Sequence, residues 1–560
     1  SLVGSEMCIR DRYLLLKYIF ILHSGGPILK ILITDGLSQE GLDLFANHSQ
    51  ISLDVRKKTE REELKTIINN YQGVIIRSAT KIDKEIIDLL DNDFKLIGRA
   101  GIGVDNVDVS EASKKGIIVM NTPSANAITT AEHTIALLLS LARNTPQAFL
   151  SMKEKKWERS SFQGRELFGK TFGLIGLGNI GRLVADRAIG LKMKVIAHDP
   201  FISKDTDLNM PIDLVDMEDV FRNSDVISVH TPLTEGTKDL ISKGSIDIMK
   251  DGVLIINCAR GGIVNESDIA DGIKSGKVSG AAIDVFEPEP PDFTSPIFKL
   301  DKNIVFTPHL GASTKEAQTK VGIAMAEQVI EYATNGVVMN AVNMPSMNLE
   351  VLSKIQPYVE LSEKLGKFMG QFCKAGIKEI NVKYSGLVTE NDLNPLTMSV
   401  LKGYLSPIMD APVTFVNAPL IAEERGIEIT ETKESSTSDF TSLITVKIID
   451  ENSEYHLSGS IFGKKEPRFT SFNSRKIDVI PDGNILIIEN DDKPGVIGLL
   501  GNSLGKKDIN INRLYLSNPQ DKGSKFALSF ISVDSPVTQD TLEYIANMDE
   551  VNSIEQVILD

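Results

Sequence analysis

From Lys30 onward, short apolar runs alternate with polar breaks and amphipathic stretches, the periodicity of strand followed by helix. KILITDG reads as a strand, QEGLDLFAN as a helix and GVIIRSAT as the next strand. KEIIDLL, FKLIGRAG and GIIVMNTP continue as helix, strand and strand. Such βαβ alternation predicts a parallel sheet covered by helices on both faces. Residues 124–144 read as one long, mostly apolar helix, which must be buried in a domain core or at a subunit interface. A second alternating unit runs from about 169 to 310, with strands TFGLIGLG, KVIAHD, VISVHTP, VLIINCAR, GAAIDVF and NIVFTPH. The helix over 313–335 can return the chain to the first unit. The expected class is therefore α/β, with two interleaved, doubly wound parallel-sheet domains: 30–125 with 313–344, wrapped around 126–312.

Beyond Pro345 the pattern changes. Residues 346–372 read as an amphipathic helix, and 376–480 as a small α+β module of β-branched stretches such as TSLITVKII. Residues 484–560 read as a βαββα succession: NILIIEN, a helix over 495–505, INRLYLS, KFALSFISV and TLEYIANM. At the other end, Arg10 and Arg12 precede an apolar run over 13–22 that imitates a signal peptide. The run is too short to span a bilayer, and residues 1–28 are read as a non-native extension.

The chemistry concentrates in the second unit. Gly176, Gly178 and Gly181 form a GxGxxG turn between an apolar strand and a helix. There the glycines allow a tight turn, close approach to a pyrophosphate, and helix-on-strand packing. Asp199 ends the following strand, at the distance expected of an acid that accepts ribose hydroxyls and repels a 2′-phosphate, which favours NAD over NADP. The plain alternative is a structural turn with Asp199 as a cap. Gly98, Gly101 and Gly103 also follow a strand, but their spacing suits backbone N–H groups offered to a carboxylate.

Arg260, Glu289 and His309 stand just beyond successive strands, where open α/β sheets bind ligands. Together they make a site for oxidising an alcohol. His309 takes the proton, Glu289 fixes the imidazole tautomer, and Arg260 clamps a carboxylate with its planar fork. Singly, each has an ordinary structural explanation: a strand-end histidine, a solvated turn, a surface ion pair.

GLGNIG, HTPLT, NCARGGIVNE, AAIDVFEPEP and PHLGAST resemble the D-isomer-specific 2-hydroxyacid dehydrogenases, and VIIRSATKI and GRAGIGVDNVD resemble their substrate domain. The resemblance implies Arg260, Glu289 and His309 as the catalytic set. It implies NAD contacts at Thr80, Asn179, Ile180, Asp199, Thr231, Cys258, Ala259, Asp284 and the loop of His309, Leu310, Gly311 and Ala312. Arg77 would meet a substrate phosphate or carboxylate, and Gly103 the carboxylate. The cluster Arg56, Lys57 and Lys58 is a weaker phosphate candidate, since an exposed solvated face explains it better.

Residues 484–560 resemble an ACT domain, a βαββαβ ligand sensor, through DDKPGVIGLLGNSLGKKDINI. With this tail, the resemblance implies the long members that oxidise D-3-phosphoglycerate with NAD, the first step of L-serine biosynthesis, as a homodimer or homotetramer. L-serine is then the expected effector, at Asn490, Asp492 and Asn510 brought together across a subunit interface, and 346–480 the expected intervening domain. Another 2-hydroxyacid dehydrogenase acting on glyoxylate, hydroxypyruvate or pyruvate is the nearest alternative, and an NAD-sensing scaffold without activity a remoter one. A net charge of −16 disfavours nucleic acid or an anionic membrane as partner. Three scattered cysteines, Cys8, Cys258 and Cys373, build neither a disulfide framework nor a metal site, and suit the cytoplasm.

Overall fold

The computed structural model describes residues 29–559 apart from 124, 204–205, 345–348, 374–375, 438, 451–452, 464 and 518–525, with side chains 349–354 also left aside. The segment 1–28 and Pro345 lie outside the described residues. Five parallel strands form the first sheet: β1 (Leu29–Ile33), β2 (Ile51–Val55), β3 (Gly73–Ile76), β4 (Leu96–Arg99) and β5 (Ile118–Met120), in the order β2-β1-β3-β4-β5. Central β3 is buried throughout and reads as an unbroken apolar run. β2, ISLDV, is missing from the elements read off the sequence. It is a partly exposed edge strand, so its apolar pattern is weak.

Seven parallel strands form the second sheet: β6 (Thr171–Ile175), β7 (Lys194–His198), β8 (Ile212–Leu214), β9 (Val226–Val229), β10 (Val253–Asn257), β11 (Val278–Ile283) and β12 (Ile304–Phe306). Their order is β12-β11-β10-β9-β6-β7-β8, so the direction of winding reverses at β6. The loops after β6 and β9 therefore flank a crevice at the carboxyl edge, where such sheets bind ligands. β8, an edge strand of three residues, also carried no legible signal.

Two helices interleave the sheets. Ala127–Ala142 packs on the second, where Leu138 and Leu141 join Phe172, Leu174 and Val184. Lys315–Asn335 starts at Thr314, whose side chain caps the Ala317 N–H at 3.2 Å, and buries Met325, Ala326 and Val329 under the first sheet. The chain then runs beside β5, where Asn343 accepts from the Val119 N–H and donates to the Ile117 carbonyl. This is the interleaved, doubly wound α/β class that the apolar pattern predicts.

The third sheet is mixed, in the order β14 (Glu428–Glu434), β13 (Ile377–Gly386), β15 (Ser442–Asp450), β16 (Glu454–Phe462), β17 (Glu466–Phe472) and β18 (Arg475–Val479). Helices Leu349–Phe372 and Asn394–Leu405 accompany it. The fourth sheet is antiparallel: β19 (Gly483–Asp491), β20 (Ile511–Ser517), β21 (Phe526–Val533) and β22 (Val551–Leu559), ordered β20-β21-β19-β22. With helices Val496–Gly505 and Gln539–Ala546 it completes a βαββαβ succession. Both faces of β19 are buried. Ile485 and Ile487 join the core of the third sheet, while Leu486 and Ile488 pack with the two helices. Gln371 grips the edge strand β22 as another strand would, donating to the Ile558 carbonyl and accepting from its N–H, each at 2.9 Å.

The helices Leu349–Phe372 and Asn394–Leu405 cross on glycine. A Cβ on Gly403 would lie 2.1 Å from the Glu363 carbonyl oxygen, and one on Gly366 2.1 Å from that of Val400. Backbone atoms cannot swing aside as a flexible side chain does, so the helices themselves would have to part. Gly403→Val is expected to destabilise the protein by about 1–3 kcal/mol or more, the usual cost of overpacking. The denaturant midpoint measures this, and an unchanged midpoint would mean that the crossing is loose.

Candidate active site

The crevice after β6 is shaped by what glycine omits. Gly176 has φ +94°, and a Cβ there would lie 2.5 Å from the His230 carbonyl oxygen. A Cβ on Gly181 would lie 2.2 Å from the Gly176 carbonyl oxygen, so helix Asn179–Gly190 sits directly against the turn. Gly178 instead faces open space, with Asn179 exposed beside it and Ile180 packed toward the core. Asp199 follows β7, and its carboxylate is aimed over the turn by the Leu177 N–H at 2.8 Å and the Phe201 N–H at 3.0 Å. The Thr231 hydroxyl is buried with no hydrogen-bond partner among the described residues. An orphaned hydroxyl, an open glycine and a held carboxylate around one turn are what a dinucleotide would complete. His230 is half-buried, and burial pushes its pKa down to about 4. Burial raises the Cys258 thiol to about 12, and with its side chain in the core only its backbone can face a ligand.

His309 follows β12 and Glu289 follows β11, and the structure brings them together. His309 Nδ1 lies 2.8 Å from Glu289 Oε2, while Glu289 Oε1 accepts from the Phe286 N–H at 3.0 Å. The hydrogen bond to Glu289 raises the His309 pKa, against a lowering by burial. Burial would raise Glu289, but His309 and the Phe286 N–H outweigh it, and its carboxyl lies below the usual range. Asp284, expected at the cofactor, has its carboxylate wholly engaged within the protein. It accepts from Thr307 Oγ1, from the Leu310 and Gly311 N–H groups at 2.7 and 2.9 Å, and lies 3.2 Å from His133 Nε2. The N–H groups of Leu310 and Gly311 are donated to Asp284, and Ala312 joins His309 in lining the cavity.

A cavity of about 930 Å³ separates the carboxyl edges of the two sheets, with Arg77, Arg99, Asn126, Glu289 and His309 among its lining residues. Arg260, at the end of β10, lies near enough to His309 and Arg99 for its charge to act on both. Its Nε donates to Asp105 at 2.7 Å, and Gly103 lies beneath its Nη2. Sequence reasoning missed Arg99, whose largely buried guanidinium is held down to about 10 by burial and then by the neighbouring charge of Arg260. The signal was present, because Arg99 ends a parallel strand, the edge at which such sheets bind ligands. It missed Asn126 too, which resembles a helix cap but makes no capping bond and has a buried, unpartnered Oδ1.

Other expected residues sit elsewhere. The Thr80 hydroxyl is buried against Thr34 and Asp35 at 2.9 Å each, inside the first sheet's loops rather than in the cleft. Arg56 is paired with Asp54 and Glu63, and Lys58 with Glu60. In the last sheet, Asn490 is 2% exposed, and its amide bonds Ser529 and the Asp491 carbonyl internally. Asn484 and Ile511 both pair with Val533, so Asn510 lies at the start of β19, the opposite end from Asn490 and Asp492. One chain alone does not gather these three residues.

Comparison with known proteins agrees with this geometry. Residues 135–311 match the NAD-binding domain of D-isomer specific 2-hydroxyacid dehydrogenases, and 354–473 match the D-3-phosphoglycerate dehydrogenase intervening domain. The chain is 41% identical over 523 residues to D-3-phosphoglycerate dehydrogenase of Archaeoglobus fulgidus, across 93% of this chain and 98% of that protein. It is 36% identical over 533 residues to its counterpart in Bacillus subtilis, across 95% and 100%. A glyoxylate reductase from Paecilomyes thermophila superposes with TM-score 0.53 and 25% identity, over 57% of this chain and 99% of its own. D-Lactate dehydrogenase from Aquifex aeolicus, complexed with NAD and lactic acid, gives 0.51 and 27% over 56% and 100%. Such shorter enzymes account for little more than half of the chain, whereas the first two relatives run its length. The chain belongs to the D-isomer-specific 2-hydroxyacid dehydrogenases, in the D-3-phosphoglycerate dehydrogenase family, with a family NAD-binding domain over residues 135–311.

Proposed function

We propose that this protein oxidises D-3-phosphoglycerate to 3-phosphohydroxypyruvate with NAD, the first step toward L-serine. The observation that carries this reading is the His309–Glu289 pair in one cleft with three guanidinium groups, Arg77, Arg99 and Arg260. Arg260 takes the substrate carboxylate, with the Gly103 backbone beneath it, and Arg77 and Arg99 the phosphate. A substrate without phosphate, such as glyoxylate or pyruvate, would leave the buried Arg99 without an anion. Nε2 of His309 accepts the hydroxyl proton while Nδ1–H stays bonded to Glu289, and the imidazolium so formed is stabilised by that carboxylate and by Asp284 behind it. NAD, held at Gly178, Thr231 and Asp199, would supply the hydride acceptor. NAD reduction on addition of D-3-phosphoglycerate tests the assignment, and turnover of pyruvate or glyoxylate in its place would refute it.

Because Glu289 raises the His309 pKa above its ordinary 6.5, oxidation should accelerate as pH rises through that raised value, where the base becomes neutral. The stability that the pair lends follows the reverse sense: full below 6.5, lost as pH climbs through the raised pKa. Glu289→Gln should move the rise in rate to lower pH, and His309→Ala should cut turnover roughly 10²–10⁴-fold. An unmoved profile in Glu289→Gln, or near wild-type turnover in His309→Ala, would remove His309 from the mechanism.

Asp199→Ala should narrow the preference for NAD over NADP by deleting a charge that repels the 2′-phosphate. A wild type indifferent to the two cofactors would contradict this role.

Phe149, Leu150, Met152, Trp157 and Phe168 stand exposed along one stretch of chain, which supports a homo-oligomer formed there by a second copy. A monomeric mass in sedimentation would refute it. L-Serine is the proposed effector, held between chains by Asp492 of one and Asn510 of the other. Calorimetry with L-serine on wild type and Asp492→Ala checks this: heat that the substitution removes is expected, and a silent wild type would exclude the effector. The cytoplasm is the proposed compartment, since Cys258 and Cys373 are free thiols and no described helix is long and apolar enough to cross a membrane. Recovery of the protein outside the cell would contradict it.

A further inference from the structure

Arg260 stands after β10 of the second sheet and Asp105 after β4 of the first, so the two residues face each other across the cleft. Arg260 Nε donates to Asp105 Oδ2 at 2.7 Å, and Nη1 donates to the Ala259 carbonyl at 2.7 Å. Two bonds from different directions fix the guanidinium plane. They leave Nη2 free above Gly103, where a Cβ would lie only 1.9 Å from it. The Asp105 side chain is 61% exposed at the rim of the cleft, so the fold does not depend on burying it. We propose that Asp105 is a positioning residue, which aims Arg260 at the substrate carboxylate only while the loop 101–106 of one domain is docked on the other.

This rests on Arg260 being the carboxylate clamp. The competing idea, that Asp105 merely occupies the substrate's place, fits the geometry less well, because its bond is to Nε and the terminal Nη2 stays open. The two ideas also differ in sign. Deleting a negative charge beside Arg77, Arg99 and Arg260 would by itself strengthen binding of an anionic substrate. Loss of positioning weakens it.

The test uses the full chain with Asp105→Asn, Arg260→Gln and the double variant, in steady-state NAD reduction with D-3-phosphoglycerate. KM is expected to rise, and kcat/KM to fall roughly 10- to 100-fold, in Asp105→Asn, the scale of a hydrogen bond to a charged group. NADH affinity and melting temperature should not change. In the Arg260→Gln background the same substitution should cost little more, since its partner is already gone. A lower or unchanged KM, or full additivity of the two substitutions, overturns the proposal. Amide hydrogen exchange over 101–106 and 259–262 reads the docking without turnover and should quicken in Asp105→Asn. Unchanged exchange overturns the proposal even if wild type were inert toward D-3-phosphoglycerate, a result that would instead refute the assigned reaction.

Discussion

A carboxylate shut off from water must be met by donors or give up its charge. Asp284 is 0% exposed and is met by the Thr307 hydroxyl, two backbone N–H groups and the His133 ring. Burial pushes its pKa up, but His133, Thr307 and the Leu310 N–H outweigh that and hold it below the usual range. Three of these donors come from 307–311, so satisfying one charge winds that loop around it. His309, at the apex, adopts φ 55°, a left-handed conformation that costs an ordinary residue about 1–2 kcal/mol. Undoing the turn would strand a buried charge, at roughly 3–5 kcal/mol. Stranding the charge costs more than straining the backbone, so the histidine stays in its left-handed turn, where Glu289 can reach it.

The cleft concentrates cations within an acidic molecule. A chain of net charge −16 gathers Arg77, Arg99 and Arg260 at one place, opposed there by the carboxylates of Asp35 and Asp105. Packed cations repel, and the depressed pKa of Arg99 records that repulsion after its burial. A multiply charged anion relieves it, whereas a singly charged one does so only in part. Selection in this cleft therefore counts charges as well as reading shape.

What was legible in the sequence was whatever a parallel sheet makes local. A residue that ends such a strand points into the carboxyl-edge crevice, so Arg260, Glu289 and His309 could be picked out without knowing their neighbours. Edge strands β2 and β8 escaped because half-exposed strands lack an unbroken apolar run. The resemblance implied Asp284 as a cofactor contact, but position alone says nothing about which loop folds back over it. Thr80 shows the same limit, since a motif names the residue but not the direction of its hydroxyl.

The C-terminal tail cannot act as a loose appendage. Ile485, Ile487, Phe530 and Val557 of the last sheet lie in one continuous core with Tyr384 and Phe469 of the third and Phe368 of the helix Leu349–Phe372. Whatever shifts the last sheet must carry the third with it or open that core. The third sheet's domain meets the first sheet at Gly116, whose carbonyl accepts from Thr414 Oγ1 at 3.3 Å. Gly116 precedes β5 and so lies at the amino edge of the first sheet, whereas Arg77 and Arg99 act at the carboxyl edge. A signal entering there has no side chain of the cleft to touch. Asp105 and Arg260 bond across the cleft between the two sheets, so a displacement of the first sheet as a body against the second would part them.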